Sequence, residues 1–240
     1  MNRFFAEKII SHQAVLSSED AHHLRDVLRA KVGDRFEICD GCGKEYIAKL
    51  TALNKQEAVL ELEEEVAVDR ECQHNFVLCQ GVPKGRKLED VVRHATELGM
   101  REFYPVITER TQLPRGDVDK SERLQRIADE AAKQSKRQKL PVIHNPVTLS
   151  WLLQTAEPEA LKIVAWEEET QNTLQNALQG NCSAKIYLFI GPEGGLSAEE
   201  VAQMKKQGWI SVTLGKRILR TETAPLALLS AVSFALGEWI

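Results

Sequence analysis

Two glycine-bearing loops, each set between an apolar strand and a helix, constrain this chain more than any other feature. The first runs Ile190-Gly-Pro-Glu-Gly-Gly-Leu-Ser-Ala-Glu-Glu200 and the second Leu214-Gly-Lys-Arg-Ile-Leu-Arg-Thr-Glu-Thr-Ala224. Such loops present backbone amides at the carboxyl ends of strands, where open α/β sheets bind ligands. The first lacks the Gly-Lys-Ser/Thr ending of a phosphate-binding loop, and neither has Gly-x-Gly-x-x-Gly spacing. The pattern points to a cofactor other than the common nucleotides.

Composition narrows the class. The 240 residues suffice for one large domain or two small ones, and an apolar content of 43% is ordinary for a globular chain. The longest apolar run, near the C-terminus, is interrupted by Ser230, Ser233 and Gly237 and is too short for a bilayer, so no membrane partner is expected. The first residues, Met1 to Lys8, lack the long apolar core of a signal peptide, and a cytoplasmic location is the expectation. Five cysteines at scattered positions argue against a disulfide framework. Cys39-Asp-Gly-Cys42 has metal-ligand spacing, but a lone pair cannot complete four ligands and Asp40-Gly41 is a good hairpin turn, so no metal is expected. A net charge of −4 gives no global basic field for a nucleic acid. Its distribution says more. Residues 83–140 carry 14 basic and 10 acidic side chains, against 10 and 15 in residues 1–72 and 7 and 10 in residues 141–240. The middle of the chain is the only positive portion.

Residues 1–72 read as a small, mostly β unit. Arg35–Cys39 and Glu45–Leu50 flank the Asp-Gly turn as a hairpin, Ala58–Leu62 forms a third strand, and Ser18–Arg29 a short helix with Leu24, Val27 and Leu28 on one face. Residues 73–240 alternate strand and helix. Strands are expected at Phe76–Cys79, Phe103–Val106, Leu161–Trp166, Lys185–Ile190 and Ile210–Leu214. The continuous apolar runs among them suit a parallel sheet buried on both faces. Helices are expected at Arg86–Leu98, closed by Gly99, from Asp119 or Ser121 to about Lys139, from the Ser197/Glu200 capping box to Gly208, and from Thr223 to about Glu238. The last is apolar nearly all round, so both sides need cover, which a subunit interface would provide.

The glycine loops also carry a resemblance. Gly191-Pro-Glu-Gly-Gly195, then Leu214-Gly215 and Arg217-Ile-Leu-Arg-Thr-Glu-Thr-Ala224, resemble the signature of the RsmE family of ribosomal RNA methyltransferases. These belong to the SPOUT class, which uses S-adenosylmethionine. Three further segments look like the same family. They are Arg93-His-Ala-Thr-Glu-Leu-Gly99 with Pro105 and Thr108-Glu-Arg110, Glu130-Ala-Ala-Lys-Gln-Ser-Lys-Arg137 with Leu140-Pro141, and His22-His-Leu24 with Val27-Leu-Arg29 and Val32-Gly-Asp34. The resemblance covers nearly the whole length, and its C-terminal block is highly specific. Pro225 departs from the pattern, at a place in the first helical turn where proline is tolerated.

That resemblance implies a PUA-like, RNA-binding β-barrel over residues 1–72. It is followed over 73–240 by an α/β SPOUT methyltransferase domain whose C-terminal segment makes a trefoil knot. It implies a homodimer through the C-terminal helix. It also implies S-adenosylmethionine-dependent methylation of N3 of a uridine in small-subunit (16S) ribosomal RNA, as free RNA or in the assembled subunit.

The same reading distributes roles. Gly191, Gly194, Gly195 and Gly215 remove side chains where a bent cofactor approaches the backbone, and Pro192, Glu193, Leu214 and Arg217 complete the two loops. Ile218 and Leu219 sandwich the adenine, and Trp166 with Glu167 forms a third wall by family analogy. The helix after Ser197 points amide hydrogens towards the first loop, which suits a carboxylate. Uridine N3 carries a proton, so the site needs a base or a group that stabilises the uridine anion. Arg220, holding the O2 or O4 edge, and Glu222, accepting the proton or orienting Arg220, are the candidates. RNA phosphates would meet Lys133, Lys136, Arg137 and Lys139, and a second surface at His22, His23, Arg25 and Arg29. Turn-making glycines, a structural Arg220–Glu222 pair and solvated helix faces are the plain alternatives. Two other functions compete: a non-catalytic RNA-binding or ribosome-assembly factor on the same fold, and a phosphate-ligand enzyme. A degenerate copy would have lost glycines 191, 194, 195 and 215 or Arg220, and none is lost. The missing phosphate-loop lysine and hydroxyl argue against the phosphate enzyme.

Overall fold

The computed structural model describes residues 1–112, 121–181 and 183–239. They fall into two units, Met1–Glu71 with Ala132–Leu140 and Cys72–Ala131 with Pro141–Ile240.

The first unit is built on a six-stranded sheet. Its strands are β1 (Arg3–Phe5), β2 (Lys8–Ile10), β3 (Gln13–Leu16), β4 (Arg35–Cys39), β5 (Glu45–Leu53) and β6 (Ala58–Glu65), in the order β1-β4-β5-β6-β3-β2. The β4–β5 turn is locked by Asp40, whose Oδ1 accepts from the backbone N–H groups of Cys42, Gly43 and Lys44 at 2.7–2.9 Å. Bulges at Ile47/Ala48 and Leu50/Ala52 break the β5–β6 register, and bulges of this kind bend and twist a sheet. Alternate residues of β4, β5 and β6 bury Phe36, Ile38, Ala48, Leu50, Ala58 and Leu60 against Leu24. The helix expected over 18–29 is shorter than its pattern. α1 (Ser18–His22), capped by Ser17, passes into a single π turn over His23–Val27, and Arg29 takes a left-handed φ of 55°.

The second unit is a parallel sheet with helices on both faces. β7 (Asn75–Gly81), α2 (Lys87–Glu97), β8 (Glu102–Ile107), α3 (Ser121–Gln134), β9 (Val142–Ile143), β10 (Val147–Thr148), α4 (Leu149–Thr155), β11 (Leu161–Ala165), α5 (Leu174–Leu178), β12 (Lys185–Ile190), α6 (Ala198–Lys206), β13 (Ile210–Val212) and α7 (Ala224–Ala235) succeed one another along the chain. The sheet order is β10-β8-β7-β12-β11-β13, with β9 also on β8. β12 shows why continuous apolar runs fit here. Ile186, Leu188 and Ile190 enter the core shared with α2, α5 and α7, while Tyr187 and Phe189 enter the core shared with α4 and α6. The order places β7 and β12 side by side, where the chain's progress across the sheet reverses, and ligands bind open α/β sheets at such crevices. Among the described residues no helix is long and apolar enough to cross a membrane.

α3 ends before the expected Lys139. Lys136 turns left-handed, with φ 61°. Arg3 then donates to the carbonyls of Lys136 and Arg137 at 2.6 and 3.0 Å. The Arg137 guanidinium, 4% exposed, pairs with Glu71 at 2.7 Å. Glu71 also accepts from the N–H groups of Gln138 and Lys139. Burial pushes the Glu71 carboxyl up, and these donors more than offset it, so its pKa lies below the usual value. The helix closes locally, with Arg137 N donating back to Ala132 O at 3.0 Å around the left-handed Lys136, and Arg3 and Glu71 then hold the backbone that follows. The Asp119 alternative for its start lies outside the described residues.

Glu102 opens β8 and gathers His144 Nε2 at 3.2 Å, Lys185 Nζ at 2.9 Å and Asn75 Nδ2 at 3.2 Å. The His144 contact first, then Lys185 and Asn75, hold its pKa down at about 2 against burial, which raises it. A carboxyl depressed on folding stabilises above its unfolded pKa and loses that stability as pH falls through the folded value. Glu102→Gln should therefore cost about 1–2 kcal/mol at pH 7, discounted for partial exposure. It should also flatten the loss of stability between pH 4.5 and about 2, as read by urea unfolding across that range.

Candidate active site

Three loops that leave β11, β12 and β13 wall a cavity of about 660 Å³. The lining runs through Ala165–Glu167, Ile190–Gly195 and Thr213–Glu222, with Lys87 and Ala224. The structure thus brings Trp166, Glu167, Gly191, Pro192, Glu193, Gly194, Gly195, Leu214, Gly215, Arg217, Ile218, Leu219, Arg220 and Glu222 to one cavity.

The loop after β12 is fixed on several sides. Gly195 N donates to Pro192 O at 2.9 Å, closing a turn, and Gly195 takes a φ of 69°. Beneath the loop, fully buried Gln80 donates through Nε2 to Gly191 O at 3.2 Å and to Thr221 Oγ1 at 2.9 Å. Thr221 in turn donates to Gly191 O at 3.0 Å. Arg110 reaches Gly194 O at 2.9 Å. Glu109 accepts from Ser197 Oγ at 2.7 Å, and its N–H meets Glu200. The expected capping box forms, with Ser197 and Glu200 bonding each other's backbone N–H. The box takes up the N–H groups of Ser197 and Glu200 in the first turn of α6.

The other walls differ in character. After β13, Gly215 has φ 103°, and a Cβ there would meet nothing within 4 Å, so the backbone lies open to the cavity. Ile218 and Arg220 stand 88% and 85% exposed. After β11, Trp166 N donates to Val212 O, while the indole Nε1 is buried without a partner. The turn beyond is held by Glu169, which Ser211 Oγ first, then the N–H groups of Gln171 and Asn172, hold down at a pKa of about 2.

Charge collects at the mouth. The Lys87 ammonium lies 2.9 Å from Glu193 Oε1 and 3.5 Å from Glu222 Oε2, and Arg220 lies 3.9 Å from Glu222 Oε1. Burial raises the Glu193 carboxyl, but Lys87 and the Lys84 N–H outweigh it and leave it lowered. Lys87 is raised, chiefly by its bond to Glu193. Sequence reading missed Lys87, Gln80 and Thr221. It also missed Gly81, where an added Cβ would sit 2.5 Å from Pro192 N and Cδ. No local signal marks Lys87, Gln80 or Gly81, whose partners are more than a hundred positions away, whereas Thr221 lies inside the C-terminal motif without a role assigned to it there.

The basic residues proposed for RNA all belong to the first unit. His22, His23 and Arg29 are exposed, as is Lys136. Arg25 is paired with Asp26 and Lys133 with Asp20 at 2.8 Å, which places the two clusters at neighbouring surfaces. Lys139 is half-buried over Gly43. Arg137 is buried on Glu71 and presents no charge to a phosphate in this arrangement.

A model described as an RNA methyltransferase domain matches residues 70–233, and one described as an RNA methyltransferase PUA domain matches residues 16–63. The fold and cavity are thus those of an RNA methyltransferase preceded by a PUA-like domain. Ribosomal RNA small subunit methyltransferase E of Synechocystis is 38% identical over 95% of this chain and 75% of its own length. The protein of that name from Bacillus subtilis is 32% identical over 98% and 96%. The crystal structure of ribosomal RNA small subunit methyltransferase E from Neisseria gonorrhoeae bound to S-adenosyl methionine superposes with a TM-score of 0.90 at 31% identity, covering 100% of both chains. This chain belongs to the ribosomal RNA small subunit methyltransferase E family.

The cavity fits S-adenosylmethionine. Its volume lies within the range of small-molecule sites. The open backbone at Gly215 admits close approach, and Leu214, Ile218 and Leu219 offer apolar surface. Gly81→Ala should press the added methyl against the Pro192 backbone and displace the first loop. The expected outcome is at least about tenfold weaker S-adenosylmethionine binding by calorimetry, with the far-ultraviolet spectrum kept.

Proposed function

We propose that this chain transfers a methyl group from S-adenosylmethionine to N3 of a uridine in small-subunit ribosomal RNA. The observation that carries the reading is the cavity at the ends of β11, β12 and β13, with all its glycines in place, in a chain of this family. A non-catalytic factor would have no need of that intact pocket. When bound, the cofactor supplies an electrophilic methyl carbon on a sulfonium. The chain's task is to hold acceptor and donor in line and to manage one proton. The Gly191–Gly195 and Thr213–Leu219 walls hold the donor, with Trp166 and Glu167 closing the third side. Glu222, at the mouth, takes the N3 proton. Arg220, held loosely at 3.9 Å from it, is free to meet the O2 or O4 edge and stabilise the uracil anion.

Residues 1–72 would carry the RNA through His22, His23 and Arg29, joined by Lys136. Lys133, Arg25 and Lys139 contribute beside their partners, and Arg137 serves the fold. A second copy would cover α7. Its outer face leaves Phe234 69% exposed, in edge contact with Trp239, itself 57% exposed. A cytoplasmic site of action accords with the substrate.

Mass-spectrometric mapping of small-subunit RNA from a strain lacking this protein should show one uridine without its N3 methyl. An unchanged methylation map would refute the reading. Glu222→Gln and Arg220→Ala should each slow single-turnover methylation by about a hundredfold, with cofactor affinity kept. Phe234→Asp should turn a dimer into a monomer in sedimentation, and a dimer that persists would place the interface elsewhere.

A further inference from the structure

Lys87 is the first residue of α2, more than a hundred positions before either loop whose carboxylate it meets. It bridges Glu193 of the first loop and Glu222 of the last, at 2.9 and 3.5 Å. Glu193 does not depend on it alone, because the Lys84 N–H also donates to that carboxylate at 3.1 Å. Glu222 does. Its Oε2 is buried and accepts no hydrogen bond, and among the described residues its ion partners are Lys87 and Arg220. Arg220 is 85% exposed, whereas Lys87 is 39% exposed and anchored at the second carboxylate. A loosely held arginine cannot fix a carboxylate, and a lysine anchored at Glu193 brings its charge to Glu222 from a defined place.

We propose that Lys87 is a positioning residue for methyl transfer, holding the Glu222 carboxylate at the cavity mouth so that it receives the N3 proton of the acceptor uracil. The inference rests on the reading of Glu222 as proton acceptor. In the step it serves, the N3–H proton passes to a Glu222 oxygen, the N3 electron pair forms the bond to the methyl carbon, and the carbon–sulfur pair returns to sulfur. The sulfonium becomes a neutral thioether, and Glu222 later releases its proton to water. Lys87 makes and breaks no bond. Its ammonium keeps the acceptor oxygen aimed while Arg220 is engaged with the base.

The test uses the full chain, S-adenosylmethionine, and small ribosomal subunits lacking the modification, prepared with uridine or with 5-fluorouridine, whose N3 proton is easier to remove. Lys87→Met should lower the single-turnover rate on uridine by at least about tenfold, while calorimetric affinity for S-adenosylmethionine stays within about threefold. Lys87→Arg should recover most of the rate, and 5-fluorouridine should bring Lys87→Met close to the wild-type rate. Loss of cofactor affinity in parallel with rate, or no gain on 5-fluorouridine, would make Lys87 a support for the Glu193 loop and overturn the inference. Glu222→Gln separates the two layers. Wild-type chemistry in that variant sinks the role of Glu222 itself, whereas a slow Glu222→Gln beside an unimpaired Lys87→Met sinks the role of Lys87 alone.

Discussion

Gln80 lies fully buried at the carboxyl end of β7, and its amide holds the Gly191 carbonyl and the Thr221 hydroxyl at once. Those two acceptors belong to loops that leave different strands. A buried amide is held to its bonds because leaving a donor unmet costs more than the bond itself contributes. The two loops are therefore tied to each other through one side chain. Gly81, next in the chain, presses Pro192 so closely that any side chain would separate them. The cavity above inherits its shape from this junction, and the ring of Lys87, Glu193, Glu222 and Arg220 at its mouth can be specific only because the backbone beneath does not yield.

The charges at that mouth differ in how they are held. Glu193 is clamped by an ammonium and a backbone N–H, Glu222 is partly buried with one anchored cation, and Arg220 projects into solvent. Arg220 is thus the least constrained of the four. Preorganised groups aimed at developing charge contribute most when they need not reorganise during the step.

Much of the parallel-sheet unit was legible in the sequence, for physical reasons. β11 and β12 are buried on both faces, so their apolar runs are nearly continuous, interrupted within β11 only by Lys162. α2 is amphipathic and closes at Gly99, whose φ is 94°, and Ser197 with Glu200 announces α6 by chemistry local to one turn. The features that escaped notice are tertiary. β1, β9 and β10 have two or three residues each, too few for a period to register. α3 stops at Gln134 in a left-handed turn at Lys136, where no glycine or asparagine marks the place, and Arg3 and Glu71 hold the backbone of residues 136–139. The same blindness misjudged Arg137, which looks like its basic neighbours along the chain yet is consumed by Glu71. The glycine loops and Arg220 were found through a continuous motif. Lys87 and Gln80, whose partners lie far along the chain, were not.

The return of residues 132–140 to the first unit has a consequence for how the molecule is made. The sheet is chemically complete by Glu65, but the segment that buries Arg137 on Glu71 and lays Leu140 beside Gly41 is encoded nearly seventy residues later. Chains emerge from the ribosome at about 5–20 residues per second, and domains tend to fold in order of appearance. Here the first unit gains its last segment only after more than half the polypeptide has been synthesised. The birth of the two units is therefore interleaved, and neither can be severed from the other by a single cut in the gene.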